Sequence, residues 1–120
     1  MKLNKTTRTN DFYGETFDPE KPMFPINIVA EILNLHQRTL RIYDEENILV
    51  PSRTSKNRRL YTYNDIERGK LIQFMTRELG VNLAGIKLVI YLLKKLKISP
   101  SQYMEYVNKA GCELNIMKEG

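Results

Sequence analysis

Residues 36–61, HQRTLRIYDEENILVPSRTSKNRRLY, decide the fold of this chain. The first ten residues are typical of a short helix, and the remainder has the turn formers and short apolar runs of a small hairpin. Arg38 and Arg41 are three residues apart, so they share one face of that helix. Residues 47–61 contain four cations and no acid. A basic helix followed by a basic hairpin predicts a winged helix-turn-helix that binds double-stranded DNA.

The residues around this stretch predict the rest of a helix-turn-helix. A first helix begins at Pro25, has apolar residues at helical spacing, and ends at Asn34, a residue type that tolerates the left-handed conformation. The second helix runs from Gln37 to about Glu45, and Asn47 ends it in the same way. Two helices joined by a three-residue turn are the geometry with which many DNA-binding proteins place a helix in a groove.

The span from Arg53 to Tyr61 predicts two short strands around the turn Ser55-Lys56-Asn57. Pro51 blocks a helix before this span and suits the start or edge of a strand. Because a hairpin of this size is not stable alone, it must rest on the helices, as a wing does.

Three more helices are predicted after the wing. The third opens at a capping box formed by Thr62 and Asp65 and runs to the residue before Gly80. The fifth starts at Ser99-Pro100, a cap followed by a first-turn proline, and ends near Gly111.

The fourth helix, capped by Asn82 and spanning 83–97, is apolar on most of its sides. A helix of that kind must be buried on most sides, and one 120-residue domain has few elements to cover it. The sequence therefore predicts a homodimer whose interface includes Leu88, Tyr91, Leu92 and Leu96. The alternative is that the fifth helix folds back and covers the fourth.

Charge and composition divide the chain into three regions. Residues 36–97 contain thirteen Lys and Arg against six Asp and Glu, although the whole chain has a net charge of only +5. Such a concentration is typical of an electrostatic footprint for DNA. The predicted organisation is a flexible polar arm over residues 1–24, a DNA-binding domain over 25–97, and a short helix and tail over 98–120.

Candidate DNA contacts follow from the expected faces of the second helix. Leu40 and Tyr43 are expected to pack inward. The outward side chains that can read base edges in the major groove are then Gln37, Arg38 and Arg41. The predicted contacts to the DNA backbone are His36, Thr39, Arg53, Lys56, Arg58, Arg59 and Tyr61. The alternative is a solvated basic face whose arginines pair with Asp44, Glu45 and Glu46.

Other classes of protein fit the composition poorly. With one cysteine, Cys112, and one histidine, His36, a monomer has no internal disulfide and cannot assemble a soft structural metal site. No apolar run exceeds six residues, and none follows the N-terminal cations. We therefore expect neither a membrane span nor a signal peptide. The expected location is the cytoplasm. No nucleophile elbow or glycine-rich phosphate loop is present, so we expect neither an enzyme nor a cofactor.

The chain resembles the MerR family of winged helix-turn-helix regulators from Phe24 to Leu93. The family pattern appears as RTLRIYDEENILVPSRT, NRRLYTYNDIE and RELGVNLAGIK, in the family's order and spacing. The resemblance implies a mainly α fold with a small β-hairpin wing and C-terminal helices. It also implies that Tyr43 contacts the DNA backbone. The family often has two adjacent tyrosines here, and the first is replaced by Ile42.

Within the family, HQRTLRIYDEE, PSRTSKNRRLY and TRELGVNLAGIK are similar to the HspR-type repressors of heat-shock chaperone operons. This similarity implies a dimer on an inverted-repeat operator, in some cases with a chaperone as co-repressor. The rival branch is the GlnR/TnrA-like nitrogen regulators, which share the FPI-x-IV start and the NRRL wing. Sensor cysteines, a large ligand domain and the long dimerisation helix of many members are missing, so the dimer must form through helix four, helix five or the N-terminal arm.

A hypothesis from another class is a protein-interaction module whose partner is a chaperone or a polymerase. The apolar fourth helix and the residues Ile116 and Met117 motivate it. A monomer that binds protein and ignores DNA would favour this hypothesis over a DNA-binding repressor.

Overall fold

A computed structural model describes residues 17–117 of the chain. These residues form five helices and one small sheet, which confirms the predicted mainly α, winged fold. The elements in chain order are β1 (Phe24–Pro25), α1 (Ile26–Leu33), α2 (Gln37–Glu45), β2 (Ser52–Arg53), β3 (Arg59–Tyr61), α3 (Tyr63–Glu78), α4 (Leu83–Lys95) and α5 (Pro100–Glu113). Within residues 17–117, no helix is long and apolar enough to cross a membrane.

The two predicted left-handed caps around α2 are confirmed. Asn34 ends α1 with a φ of 55°, and the Leu35 amide donates to the Ala30 carbonyl at 2.9 Å. Asn47 follows α2 with a φ of 58°, and the Ile48 amide reaches back to the helix in the same manner. These bonds satisfy carbonyls that a helix end leaves without partners. They also turn the chain sharply enough for α2 to pack across α1.

The sheet has one strand more than the sequence predicted. β3 lies in the centre, with β2 and β1 antiparallel on either side. Phe24 pairs with Tyr61, and Arg53 pairs with Arg59. β1 could not be predicted because two residues, one of them a proline, carry no periodic signal.

The described part of the predicted N-terminal arm is held against the sheet and α3. The Met23 amide donates to the Tyr61 carbonyl at 3.0 Å, and the Asn64 amide donates to the Pro19 carbonyl at 3.0 Å. The Asn64 side chain also donates to Glu20 at 2.6 Å. Residues 1–16 of the predicted arm lie outside the described residues.

The core is centred on α3, where Leu71, Ile72 and Met75 are fully buried. The predicted capping box is confirmed, with Thr62 and Asp65 each accepting a backbone N–H from the other. This box orients α3 directly after the wing. Its reciprocal bonds stabilise the helix start by about 1 kcal/mol each, as a typical cap does.

The last two helices pack on different parts of this core. α5 lies against α3 and buries Tyr103 there, whereas α4 buries Ile86, Ile90 and Leu93. α4 ends at Lys95, two residues earlier than predicted, because Lys97 takes up a left-handed conformation with a φ of 60°.

Candidate nucleic-acid interface

The two faces of α2 are clearly separated. Leu40 and Tyr43 are buried, as predicted. Arg38 and Arg41 are exposed on the opposite side, and Gln37 is half-buried. Arg41 donates from Nη2 to the Gln37 side-chain oxygen at 3.2 Å. Two of the three predicted base-reading side chains are therefore already oriented by each other before any ligand is bound.

His36 forms the N-terminal cap of α2. Its Nδ1 accepts the backbone N–H of Arg38 at 3.1 Å, so a neutral ring must carry its proton on Nε2. Thr39, the other residue predicted to meet phosphate here, is half-buried in the first turn. A helix N-terminus with unpaired N–H groups favours an anion, so this end of α2 suits a phosphate.

The tip of the wing presents two unpaired cations. The Thr54 side-chain oxygen accepts the backbone N–H groups of Lys56 at 3.2 Å and Arg58 at 3.1 Å. Asn57 between them is left-handed, with a φ of 62°. Lys56 and Arg58 are exposed, and neither forms an ion pair within residues 17–117. The backbone of the tip thus holds both side chains outward.

The other two wing arginines are paired with a carboxylate of α2. Arg53 Nη2 and Arg59 Nε each lie 2.9 Å from Oδ2 of Asp44. Both arginines are therefore paired with an acid of α2 in this structure, as in the alternative interpretation, and their predicted role as phosphate contacts stays a prediction. The physical reason is register, because Arg53 and Arg59 lie opposite each other on the strand face that points to α2.

Tyr61 is fully buried, so its hydroxyl is not exposed in this structure, and the predicted contact of that hydroxyl with DNA stays a prediction. Burial raises the pKa of Tyr61 to about 12. Its hydroxyl has no hydrogen-bond partner among the described residues. The alternation of side chains along a strand places Tyr61 on the same face as Arg59, a signal that the sequence contained.

Tyr43 lies within the helix-turn-helix core and is 7% exposed. Burial raises its pKa, and the positive charge of Arg77 opposes that shift. The contact with the DNA backbone that the family resemblance implied for Tyr43 stays a prediction.

One face of α4 is apolar and exposed. Its members are Leu88, Tyr91, Leu92 and Leu96, which are 48–70% exposed. α5 does not cover them, because α5 packs against α3. We refer to these four residues as the α4 patch. Its assignment as a dimer interface stays a prediction.

Comparison with known proteins places this arrangement among regulators. Residues 24–93 match the family model described as MerR HTH family regulatory protein. The HTH-type transcriptional regulator GlnR of Bacillus cereus is 41% identical over 71 residues, which are 59% of this chain and 54% of that protein. The putative heat shock protein HspR of Streptomyces coelicolor is 38% identical over 73 residues, which are 61% of this chain and 48% of that protein.

A solved structure has the same fold. The crystal structure of a MerR family transcriptional regulator from Bacillus cereus matches with a TM-score of 0.54 and 28% identity, over 75% of this chain and 69% of that one. The chain spans about half the length of the curated relatives it matches.

Proposed function

Because the chain belongs to the MerR HTH family of regulatory proteins, whose model matches residues 24–93, we propose that it is a cytoplasmic, dimeric repressor that reads an inverted-repeat operator. The observation that carries the proposal is that two neighbouring elements both present exposed cations. α2 presents Arg38 and Arg41, and the wing beside it presents Lys56 and Arg58. A helix fits the major groove, where arginine binds guanine bidentately, while wing cations can reach the neighbouring phosphates.

In this proposal each element has its own part of the duplex. Gln37, Arg38 and Arg41 read bases. The end of α2 at His36 and Thr39 binds phosphate, and so do Lys56 and Arg58. Arg53 and Arg59 do not contact phosphate, because both are already paired with Asp44.

The α4 patch supports the dimer. Four large apolar side chains lie together on one helix face, and contiguous exposed apolar surface marks a protein interaction site. Covering the patch with a second copy would bury it and place two α2 helices on one duplex. An inverted-repeat operator reflects that two-fold symmetry.

Leu92→Glu tests the dimer, because a buried charge in the interface opposes association. We expect sedimentation velocity to give a dimer for the native chain and a monomer for Leu92→Glu. Leu114→Glu is the matched control, since Leu114 is also an exposed leucine but lies at the end of α5, outside the α4 patch. A native chain that stays monomeric with and without bound duplex would contradict the dimer.

We propose heat-shock chaperone genes as the regulated genes. The similarity to HspR supports this assignment, together with the block TRELGVNLAGIK at the junction of α3 and α4. A chaperone is then the proposed co-repressor. Ile116, which is exposed after α5, adds apolar surface on which such a partner could dock.

Control of nitrogen metabolism is the second candidate role. The observation that favours it is the 41% identity with GlnR over 71 residues, slightly above the identity with HspR. This role leaves the DNA-reading surface unchanged and differs in the genes it controls.

Selection of bound duplexes from a random pool, with the full chain, tests the proposal and separates the two roles. We expect an inverted repeat. Matches upstream of chaperone genes in the source genome would support the first role, and matches upstream of genes for nitrogen assimilation would support the second. An asymmetric single site would contradict dimeric reading, and no enrichment at all would contradict sequence-specific binding.

A further inference from the structure

One carboxylate joins α2 to both strands of the wing hairpin, β2 and β3. Asp44 lies in the last turn of α2, and its side chain is only 12% exposed. Its Oδ2 accepts from Arg53 on β2 and from Arg59 on β3, both at 2.9 Å. Charge-assisted bonds of this length that are partly shielded from water are stronger than exposed ion pairs. The wing is therefore attached to α2 by side chains from each of its strands.

The wing needs such a countercharge. Arg53 and Arg59 are directly opposite each other in the antiparallel register, and like charges in that position destabilise a strand pair. Lys56 and Arg58 add two more cations at the tip, and residues 47–61 contain no acid. β2 has two residues and β3 has three, so the hairpin has few backbone bonds with which to resist repulsion.

We propose that Asp44 is a specificity-determining positioning residue, which holds the wing in a fixed relation to α2 and keeps Arg53 and Arg59 away from phosphate. The inference rests on the proposed reading of an operator by α2 and the wing. With the wing fixed, the phosphate contacts of Lys56 and Arg58 form only when α2 lies correctly in the groove. With the wing released, four cations could bind any duplex, which raises the sequence-independent part of the affinity.

Asp44→Asn tests the inference, with Glu45→Gln as its matched control. Both variants remove one negative charge from the same turn of α2. Glu45 is exposed and forms no ion pair within the described part of the chain, so its replacement releases no arginine. The probes are the duplex recovered by selection and a random-sequence duplex of equal length. Dissociation constants are measured over a series of salt concentrations.

We expect Asp44→Asn to bind the random duplex more tightly and with a steeper salt dependence. The slope of log K against log salt should grow by about one to two, since two arginines become free to displace counterions. The ratio of specific to non-specific affinity should fall about tenfold, within the range for residues of one ion-pair network. Glu45→Gln should leave both the slope and the ratio close to their native values.

A second pair of variants keeps the inference testable if Asp44→Asn folds poorly. Arg59→Gln should leave the salt slope on the random duplex unchanged, because Arg59 is paired within the protein. Arg58→Gln should lower that slope by about one, because Arg58 is free to meet phosphate. Equal losses of slope in these two variants would overturn the inference.

The other outcomes are also decisive. Equal slopes and ratios for Asp44→Asn and Glu45→Gln would overturn the inference, since charge alone would then explain the effect. Proportional loss of both affinities with a lower melting temperature would overturn it in favour of a purely structural role. A native chain that binds the selected and the random duplex equally would overturn the proposed function and this inference together. If the native chain prefers the selected duplex and Asp44→Asn gives either of the two results above, the inference alone is overturned.

Discussion

At the scale of single residues, the central strand of the sheet shows how position overrides residue type. Arg59 and Tyr61 are both able to bind DNA chemically, yet both point toward the helices because they are two residues apart on β3. Arg59 finds a carboxylate at 2.9 Å. Tyr61 is buried, and its hydroxyl has no hydrogen-bond partner in the described region. Two residues of the same predicted function thus have different structural roles.

Tyr61 should make the stability of the protein sensitive to alkaline pH. The tyrosine pKa is about 10 in an unfolded chain and about 12 in the folded protein, so the folded state holds this proton more tightly. The stabilisation of the folded state by this protonated hydroxyl is fully present below pH 10 and is lost as pH rises from 10 to 12. We expect the native chain to lose up to about 2–3 kcal/mol of unfolding free energy over this window.

Tyr61→Phe isolates this contribution. Urea unfolding of both proteins between pH 8 and 11.5, at one protomer concentration, should give curves that diverge above pH 10 in favour of the phenylalanine variant. Below pH 9 the variant should be as stable as the native chain or more stable, because it removes a buried hydroxyl without a partner. Parallel curves across the whole range would show that Tyr61 is not the group responsible.

At the scale of elements, a residue in the left-handed conformation follows each of the five helices that the structure describes. It is an asparagine after α1, α2 and α5 (Asn34, Asn47 and Asn115), Gly80 after α3, and Lys97 after α4. At Lys97 two backbone hydrogen bonds return to the last turn of α4. The Lys97 amide donates to the Lys94 carbonyl at 2.9 Å, and the Ile98 amide donates to the Leu93 carbonyl at 3.1 Å. This is the Schellman arrangement, in which glycine is the favoured residue.

Lys97→Gly should therefore stabilise the fold. Asparagine tolerates the left-handed conformation, but lysine is strained in it. We expect the unfolding free energy to rise by about 0.5–1 kcal/mol, after allowance for the greater freedom of glycine in the unfolded chain. Lys97→Ala is the control, because it removes the same side chain without relieving the backbone. If both variants were equally stabilised in urea titrations, loss of the lysine charge would be the cause.

At the scale of the whole molecule, exposed cations are distributed between α2 and the tip of the wing. Arg38 and Arg41 extend from α2, while Lys56 and Arg58 extend from the wing tip. In a DNA-binding regulator, contacts to base edges specify sequence and contacts to phosphate add affinity without specifying it. The two surfaces should therefore respond differently to substitution.

Arg41→Ala and Lys56→Ala separate these responses. Arg41→Ala should weaken binding to the selected operator by about 1–3 kcal/mol and relax its sequence preference, with little effect on random duplex. Lys56→Ala should weaken both about equally and lower the salt slope by about one. Lys109→Ala, on the exposed side of α5, serves as the charge-matched control and should change neither. Equal effects of Arg41→Ala on both duplexes would contradict base reading by α2.

The local structure of this protein follows from signals within short stretches of its chain. Caps such as Asn34, Asn47 and the Thr62–Asp65 box are local chemical signals, and so is the helical spacing of the apolar residues. These signals act over a few residues, so the presence and order of the five helices, the wing and the exposed arginines of α2 could all be predicted. The strand β1 could not be predicted from such local signals, because it forms only when Phe24 pairs with Tyr61, thirty-seven residues later.

Long-range packing, in contrast, selects which cations are free and which apolar face is covered. Arg53 and Arg58 are alike in sequence, but the register of the hairpin turns Arg53 toward Asp44 and Arg58 toward solvent. In the same way, α5 packs on α3 and leaves the α4 patch open. Both outcomes depend on contacts between residues distant in sequence. Local pattern does not encode such contacts, since they are chosen by the packing of the whole chain.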